Sequence, residues 1–330
     1  MNRPPSFTRR RWLGHGGALL AAATAGAPWR PAFAEGRPEQ LRIGYQKSAS
    51  LFVHQKSVGS LEKRLAPLGV AVKWFEFPAG PQLLEGLNVG AIDVGYVGEA
   101  PPIFAQAAGA KFVYVGYDPA APQAEAVVVP KDSALKTVAD LKGRKVALNK
   151  GSNVHYLLVK LLEKHGLSYA DVQPVFLPPA DARAAFERGA VDAWAIWDPF
   201  LAAVEKQTGA RQLADGRGVV NNYLFYLAER GYAERWPQVV KALFDDLTEQ
   251  GRWVTANVRQ AAEKIAPLQG LDVDVVERSL RRYPLGVQPL TPAIAAEQQK
   301  IADAFLELKL LPRPVRILDA LPAARVAGAA

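Results

Sequence analysis

The sequence predicts an α/β protein made of two similar lobes, joined by two crossover segments, with a ligand cleft between them. Three observations lead to this class. Short β-rich runs alternate with helical runs from residue 41 onward, which implies right-handed crossovers and mostly parallel sheets covered by helices. A short motif occurs twice: Gly90-Ala91-Ile92-Asp93 matches Gly189-Ala190-Val191-Asp192, an offset of 99. A second pair, Ile43-Gly44-Tyr45-Gln46-Lys47 and Val146-Ala147-Leu148-Asn149-Lys150, lies at an offset of 103. The chain has 330 residues, 49% of them apolar, enough for about two ordinary domains with buried cores.

Taken in chain order, the first 34 residues read as an export signal. Thr8-Arg9-Arg10-Arg11-Trp12-Leu13 is followed by an Ala/Gly-rich apolar run to Ala27 and a small-x-small site at Ala32-Phe33-Ala34. The paired arginines resemble a twin-arginine signal, although Trp12 stands where Phe is usual and no Lys follows Leu13. Beyond it, Leu41–Tyr45 reads as a strand, and Val58, Leu61, Leu65 and Leu68 recur at helical spacing. Val72–Phe77 and Ile92–Val97 are strands with a helical run, Gln82–Asn88, between them. Lys145–Leu148 is a strand, followed by a helix with Val154, Leu157, Leu158, Leu161 and Leu162 on one face. Val191–Trp197 is a further strand, which puts Trp194 and Trp197 on opposite faces, Trp197 the better placed for the cleft. Glu125–Asp132 and Val219–Glu229 read as the extended crossovers. Trp236–Leu311 is largely helical, with breaks at Pro267–Gly270 and Pro284–Pro292. The expected division is a signal at 1–34, lobe one at 35–127 plus 223–330 with the C-terminal helices, and lobe two at 128–222.

Composition removes several function classes. Cysteine is absent, which excludes disulfides, thiolate metal sites, cysteine nucleophiles and a lipid-bearing N-terminal cysteine. Export without that anchor points to the periplasm. The formal charge is +8, but the first 34 residues carry five arginines and no acid; without them 35 basic residues face 32 acidic ones. That balance does not suit a nucleic-acid partner. No segment after the signal is apolar enough for a membrane span. His54, His155 and His165 show no metal-ligand spacing, and Ser152 with His155 lacks a third group for nucleophilic catalysis. There is no G-x-S-x-G elbow, Walker loop or dinucleotide fingerprint. The expectation is a binding protein with no cofactor and no metal, and not an enzyme.

In open α/β sheets ligands bind beyond the carboxyl ends of strands, where helix N-termini offer free N–H groups and partial positive charge. Gln46 ends the first strand and is either a donor or a solvated loop amide. Ser152 and Asn153 follow Gly151 and open a helix, as caps, as anion contacts, or as both. Glu99 and Asp198 occupy matching places in the repeat, each beside proline, and are either helix caps or groups for a ligand that also carries an ammonium. Trp194, Trp197, Tyr223 and Phe225 suggest apolar room for a ligand tail.

Four strings carry a family resemblance: "LRIGYQK" at 41–47, "EFPAGPQLLEGLNVGAIDVGYVGEAPPIFAQAAGA" at 76–110, "TVADLKGRKVALNKGSN" at 137–153 and "PADARAAFERGAVDAWAIWDPF" at 179–200. They resemble the periplasmic aliphatic-sulfonate-binding proteins of ABC importers, within a wider family that also takes taurine, nitrate and pyrimidine precursors. The resemblance implies the type II periplasmic-binding-protein fold, an organosulfonate ligand, a membrane permease as partner and a monomer. By matched motif it implies a pocket of Gln46, Gly98, Glu99, Ser152, Asn153, Trp197 and Asp198. Some similar proteins carry Ser or Thr just before the Gly-acid pair, where this chain has Tyr96-Val97. In taurine-binding relatives acidic groups engage the ligand's amine, so Glu99 and Asp198 leave a zwitterionic sulfonate open. A desulfinase of the same structural family depends on a cysteine nucleophile, which this chain lacks.

Overall fold

The computed structural model describes residues 38–322, and the predicted export signal lies outside them. The first half alternates as expected: β1 (Gln40–Tyr45), α1 (Ser50–Val58), α2 (Ser60–Leu65), β2 (Ala71–Glu76), α3 (Gly80–Asn88), β3 (Val94–Gly98), α4 (Ala100–Ala107) and β4 (Phe112–Asp118). The second half repeats it: β5 (Glu125–Val129), β6 (Lys145–Leu148), α5 (Asn153–Lys164), β7 (Gln173–Phe176), α6 (Pro179–Glu187), β8 (Ala193–Trp197), α7 (Phe200–Thr208) and β9 (Arg211–Asp215). The chain then returns through β10 (Leu224–Glu229) to α8 (Arg230–Arg235), α9 (Pro237–Ala256), α10 (Val258–Gln269), α11 (Val273–Leu280) and α12 (Pro292–Glu307).

Two five-stranded sheets result, ordered β2-β1-β3-β10-β4 and β7-β6-β8-β5-β9. In each, four strands share one direction and the strand delivered by a crossover, β10 or β5, inserts antiparallel among them. The repeat read from the sequence is therefore a repeat of pairing. Ile43 faces Val94 in the first sheet, and Val146 faces Ala193 in the second, the same register under the two offsets. Asp93 accepts the Arg42 N–H and Asp192 the Lys145 N–H, both at 2.8 Å. Gly90 and Gly189 both sit at φ 70°, a left-handed conformation that a side chain resists and that ends α3 and α6.

The first sheet is covered on both faces. Leu51, Leu61, Leu243 and Ile265 pack from α1, α2, α9 and α10 on one side, and Leu83, Ile103 and Phe305 from α3, α4 and α12 on the other. The second sheet buries Leu157, Leu161, Trp194 and Leu201 in its own core. The sheets exchange the chain between residues 118 and 125 and between 215 and 224. Thus Glu125–Val127, assigned to lobe one from the sequence, pair in the second sheet, and Leu224–Glu229 form a strand inside the first. The expected break at Pro267–Gly270 falls at its end: Pro267 is exposed within the last turn of α10, and left-handed Gly270 stops the helix.

An added Cβ at Gly95 would lie 2.4 Å from Leu83 Cδ2, within one lobe. Gly95→Ala should therefore lower the urea unfolding midpoint, by about 1–3 kcal/mol of stability, because the sheet and α3 cannot part.

Candidate functional site

The carboxyl ends of β1, β3, β6 and β8 open on one interlobe cleft. Lobe one supplies Gln46 and Ser48 after β1, Gly80 at the start of α3, Gly98 at the end of β3 and Pro101 in the first turn of α4. Lobe two supplies Ser152 and Asn153 at the start of α5 and Trp197 at the end of β8. Asn222 and Leu224 come from the second crossover and the strand it feeds, and Tyr283 from the turn after α11. None of these lining residues is charged.

The N-terminal regions of α1, α3, α4 and α5 all reach this cleft. Each helix presents a partial positive charge of about half a unit there, so the cleft attracts an anion without a cationic side chain. The four ends are not equivalent. Pro101 and Pro102 have no N–H, and the Ala100 N–H donates to Asn153 Oδ1 at 3.3 Å, so α4 contributes its dipole and the Pro101 ring. Gln46 Nε2 donates to the Tyr96 carbonyl at 3.0 Å, and Ser152 Oγ to the Asn149 carbonyl at 2.6 Å, so both are oriented by their own backbone surroundings. Asn153 Nδ2 donates to Asn222 Oδ1 at 2.5 Å. Trp197 is buried beside the cleft, its ring edge-on to Phe200, whereas Trp194 is core against Phe186.

Five of the seven residues expected from the sequence thus meet here: Gln46, Gly98, Ser152, Asn153 and Trp197. Glu99 and Asp198 do not line the cleft. Glu99 is buried at the start of α4, where Oε2 accepts the Tyr223 N–H at 2.8 Å, and Oε1 has no partner. Burial raises its pKa to about 8, with the Tyr223 and Asn222 N–H groups pulling the other way. Asp198 is fully buried; Oδ1 accepts the Ala202 N–H at 2.9 Å, capping α7, and Arg282 Nη1 reaches both oxygens at 3.2 Å. Its pKa rises to about 6 through desolvation, opposed chiefly by Arg282. Both acids therefore hold the frame.

Tyr223 and Phe225 also differ from expectation. Strand alternation turns Leu224 to the cleft, while Phe225 is buried in the core and Tyr223 packs on Tyr117. Ser48, Gly80, Pro101, Asn222 and Tyr283 were not singled out from the sequence. Gly80 and Pro101 lie inside the longest matched string, but Asn222 and Tyr283 arrive from segments with no repeat partner. Lys47, next to Gln46, is not among the lining residues; its ammonium donates to the Gln269 carbonyl at 2.5 Å. Among the described residues no group of three or more His, Asp or Glu is placed to hold a metal ion, and no helix is long and apolar enough to cross a membrane.

Comparison with known proteins follows this geometry. The NMT1-like family model matches residues 34–268. A curated relative from Escherichia coli (strain K12), named for aliphatic-sulfonate binding, is 47% identical over 285 residues, 86% of this chain and 89% of its own length. The alkanesulfonate-binding protein SsuA of Xanthomonas axonopodis pv. citri, solved bound to MOPS, superposes with a TM-score of 0.82 at 46% identity, over 87% of this chain and 99% of that one. The periplasmic aliphatic sulphonate binding protein SsuA of Escherichia coli gives 0.79 at 46% identity, over 86% and 98%.

Glu99 holds its proton more tightly folded than unfolded, so its contribution to stability is full below about pH 4.5 and is lost as pH rises toward 8. The lowered pKa of His155, about 4, gives the opposite slope only below its ordinary value of 6.5. Between pH 6.5 and 8 the urea midpoint of the wild type should therefore fall, and that of Glu99→Gln should fall less.

Proposed function

The chain belongs to the NMT1-like family, and from that membership we propose that it is the periplasmic solute-binding component of an ABC importer, capturing alkanesulfonates in the interlobe cleft and delivering them to the permease for sulfur acquisition. The observation that carries this reading is the cleft itself. It is framed by helix N-termini, lined by neutral donors and closed by apolar surface from Pro101, Trp197, Leu224 and Tyr283. A sulfonate has three acceptor oxygens and one negative charge spread over them. Dipoles and neutral N–H and O–H donors match that charge without fixing a counter-ion in the site. The alkyl part requires a surface that releases water, which the aromatic and aliphatic lining supplies.

Residues 1–34 direct the chain across the inner membrane as a cleaved signal, and the monomer works in the periplasm. Binding involves no bond making. The lobes swing about the two crossovers, close on the ligand, and the permease reads the closed form. Gln46, Ser152 and Trp197 contact the ligand in this reading, Gln46 at the sulfonate through its second amide hydrogen, Ser152 by its place at the head of α5, and Trp197 along the tail.

Neutrality of the lining favours a plain alkanesulfonate over taurine, whose ammonium would find no carboxylate there. Calorimetric titration of unfolded and refolded protein, in a buffer free of sulfonates, tests this with ethanesulfonate, octanesulfonate, taurine and nitrate. The expected order places an alkanesulfonate first, and Gln46→Ala should weaken it by about 0.5–1.5 kcal/mol through loss of the second amide hydrogen, the one not given to the Tyr96 carbonyl. Nitrate or taurine binding more tightly than both alkanesulfonates would overturn the assignment.

A further inference from the structure

Gly98 ends β3 in lobe one, and Asn153 begins α5 in lobe two. A Cβ on Gly98 would lie 1.9 Å from Asn153 Oδ1 and 2.3 Å from both Cγ and Nδ2. Gly98 is not among the glycines with positive φ, and it keeps regular pairing with Leu224, so backbone conformation does not require a glycine here. At Gly44 and Gly95 an added Cβ would strike Ile92 or Leu83 of the same lobe. At Gly98 the obstacle belongs to the other lobe. Nor is the Asn153 amide free to yield. Its Oδ1 accepts the Ala100 N–H and its Nδ2 donates to Asn222 Oδ1. Asn222 sits on the second crossover at φ 53°, and its Nδ2 donates at 2.8 Å to the carbonyl of Ala121 on the first. One buried amide chain therefore links lobe two, both crossovers and the first amide of α4.

We propose that Gly98, Asn153 and Asn222 form an interlobe latch: the closed arrangement of the lobes requires an empty position at 98 to receive the Asn153 amide, which Asn222 holds in place. These are positioning residues, which set whether the start of α5 can come down on the cleft. The ligand arm of the test rests on the sulfonate-binding reading; the conformational arm does not.

The absence of cysteine allows clean double labelling. Val89→Cys on lobe one and Lys142→Cys on lobe two are exposed positions for a donor and acceptor dye, the former residue 76% exposed and the latter side chain 69%. Energy transfer is measured without ligand and with ethanesulfonate or octanesulfonate. Gly98→Ala should shift the population away from the closed distance in both conditions and weaken the sulfonate by about tenfold or more. It should leave the unfolding midpoint near that of the wild type, unlike Gly95→Ala. Adding Asn153→Gly to Gly98→Ala should bring the closed population back to that of Asn153→Gly alone, because the clash is gone, a rescue that a general packing defect would not show. Asn222→Gly, which tolerates the left-handed backbone, removes the clamp on the amide together with its tie to Ala121 and should also lower the closed population. Unchanged energy transfer in Gly98→Ala or Asn222→Gly overturns the latch, as does failure of the rescue. If no sulfonate binds the wild type, the ligand assignment falls while the ligand-free distances still decide the latch.

Discussion

The structure depends on where the chain lands after each crossing between lobes. Each crossing delivers its strand into the interior of the opposite sheet, next to β8 or β3, and not to an edge. A strand in that position is fixed by ladders on both sides, so the hinge ends are as rigid as the cores they enter. A swing of the lobes would fall in the short segments between. The same landing brings the cleft-lining residues Asn222 and Leu224 to the carboxyl ends of the parallel strands. The second crossover and the cleft consequently share residues.

Charge follows the same division. The cleft lining is neutral, whereas buried acids gather just behind it. Asp118 at the end of β4 accepts hydroxyl donors from Tyr96 and Tyr226, and burial raises its pKa to about 6. Glu125 opens β5 fully buried with neither oxygen partnered, and desolvation pushes its pKa well above the usual carboxylate range. An isolated buried carboxylate is costly, so these groups keep protons that exposed acids would lose. Glu99, with its pKa at about 8, therefore adds little fixed negative charge beside the cleft at neutral pH, where a carboxylate would repel an anion over a few ångströms.

Much of this was legible in the sequence where local periodicity or the repeat carried it. The motif ending at Asp93 and Asp192 specified a strand start, a helix end and a pairing register in both halves, because a left-handed glycine and an aspartate bonded to a neighbouring strand are local requirements. Gln46, Ser152 and Trp197 followed from strand ends. What spacing could not show was the direction of a side chain at a junction. Glu99 and Asp198 stand at strand ends as well, yet turn from the cleft because backbone N–H groups and Arg282 await them elsewhere. Tyr283 and Asn222 were illegible for a different reason. They belong to one copy of the repeat only, and long-range return of the chain places them.

The two acids show how a duplicated position can serve the joint between copies. Glu99, in lobe one, fixes the second crossover through the Tyr223 N–H. Asp198, in lobe two, caps its own α7 and engages Arg282 beyond α11 of lobe one. Around that pair Arg282 also donates to Glu205 at 2.7 Å, and Tyr283 OH reaches the Asp198 carbonyl at 3.3 Å. Lys206 adds an exposed pair with Asp274, which solvent screens to little consequence. The buried contacts weigh more, since separating the lobes there strips a desolvated carboxylate of its cation. One flank of the cleft is thus held by Asp198 and Arg282 and the other by the amides of Asn153 and Asn222. A ligand bound between the flanks needs only to add enough contact energy to favour an arrangement that the protein's own side chains already fit.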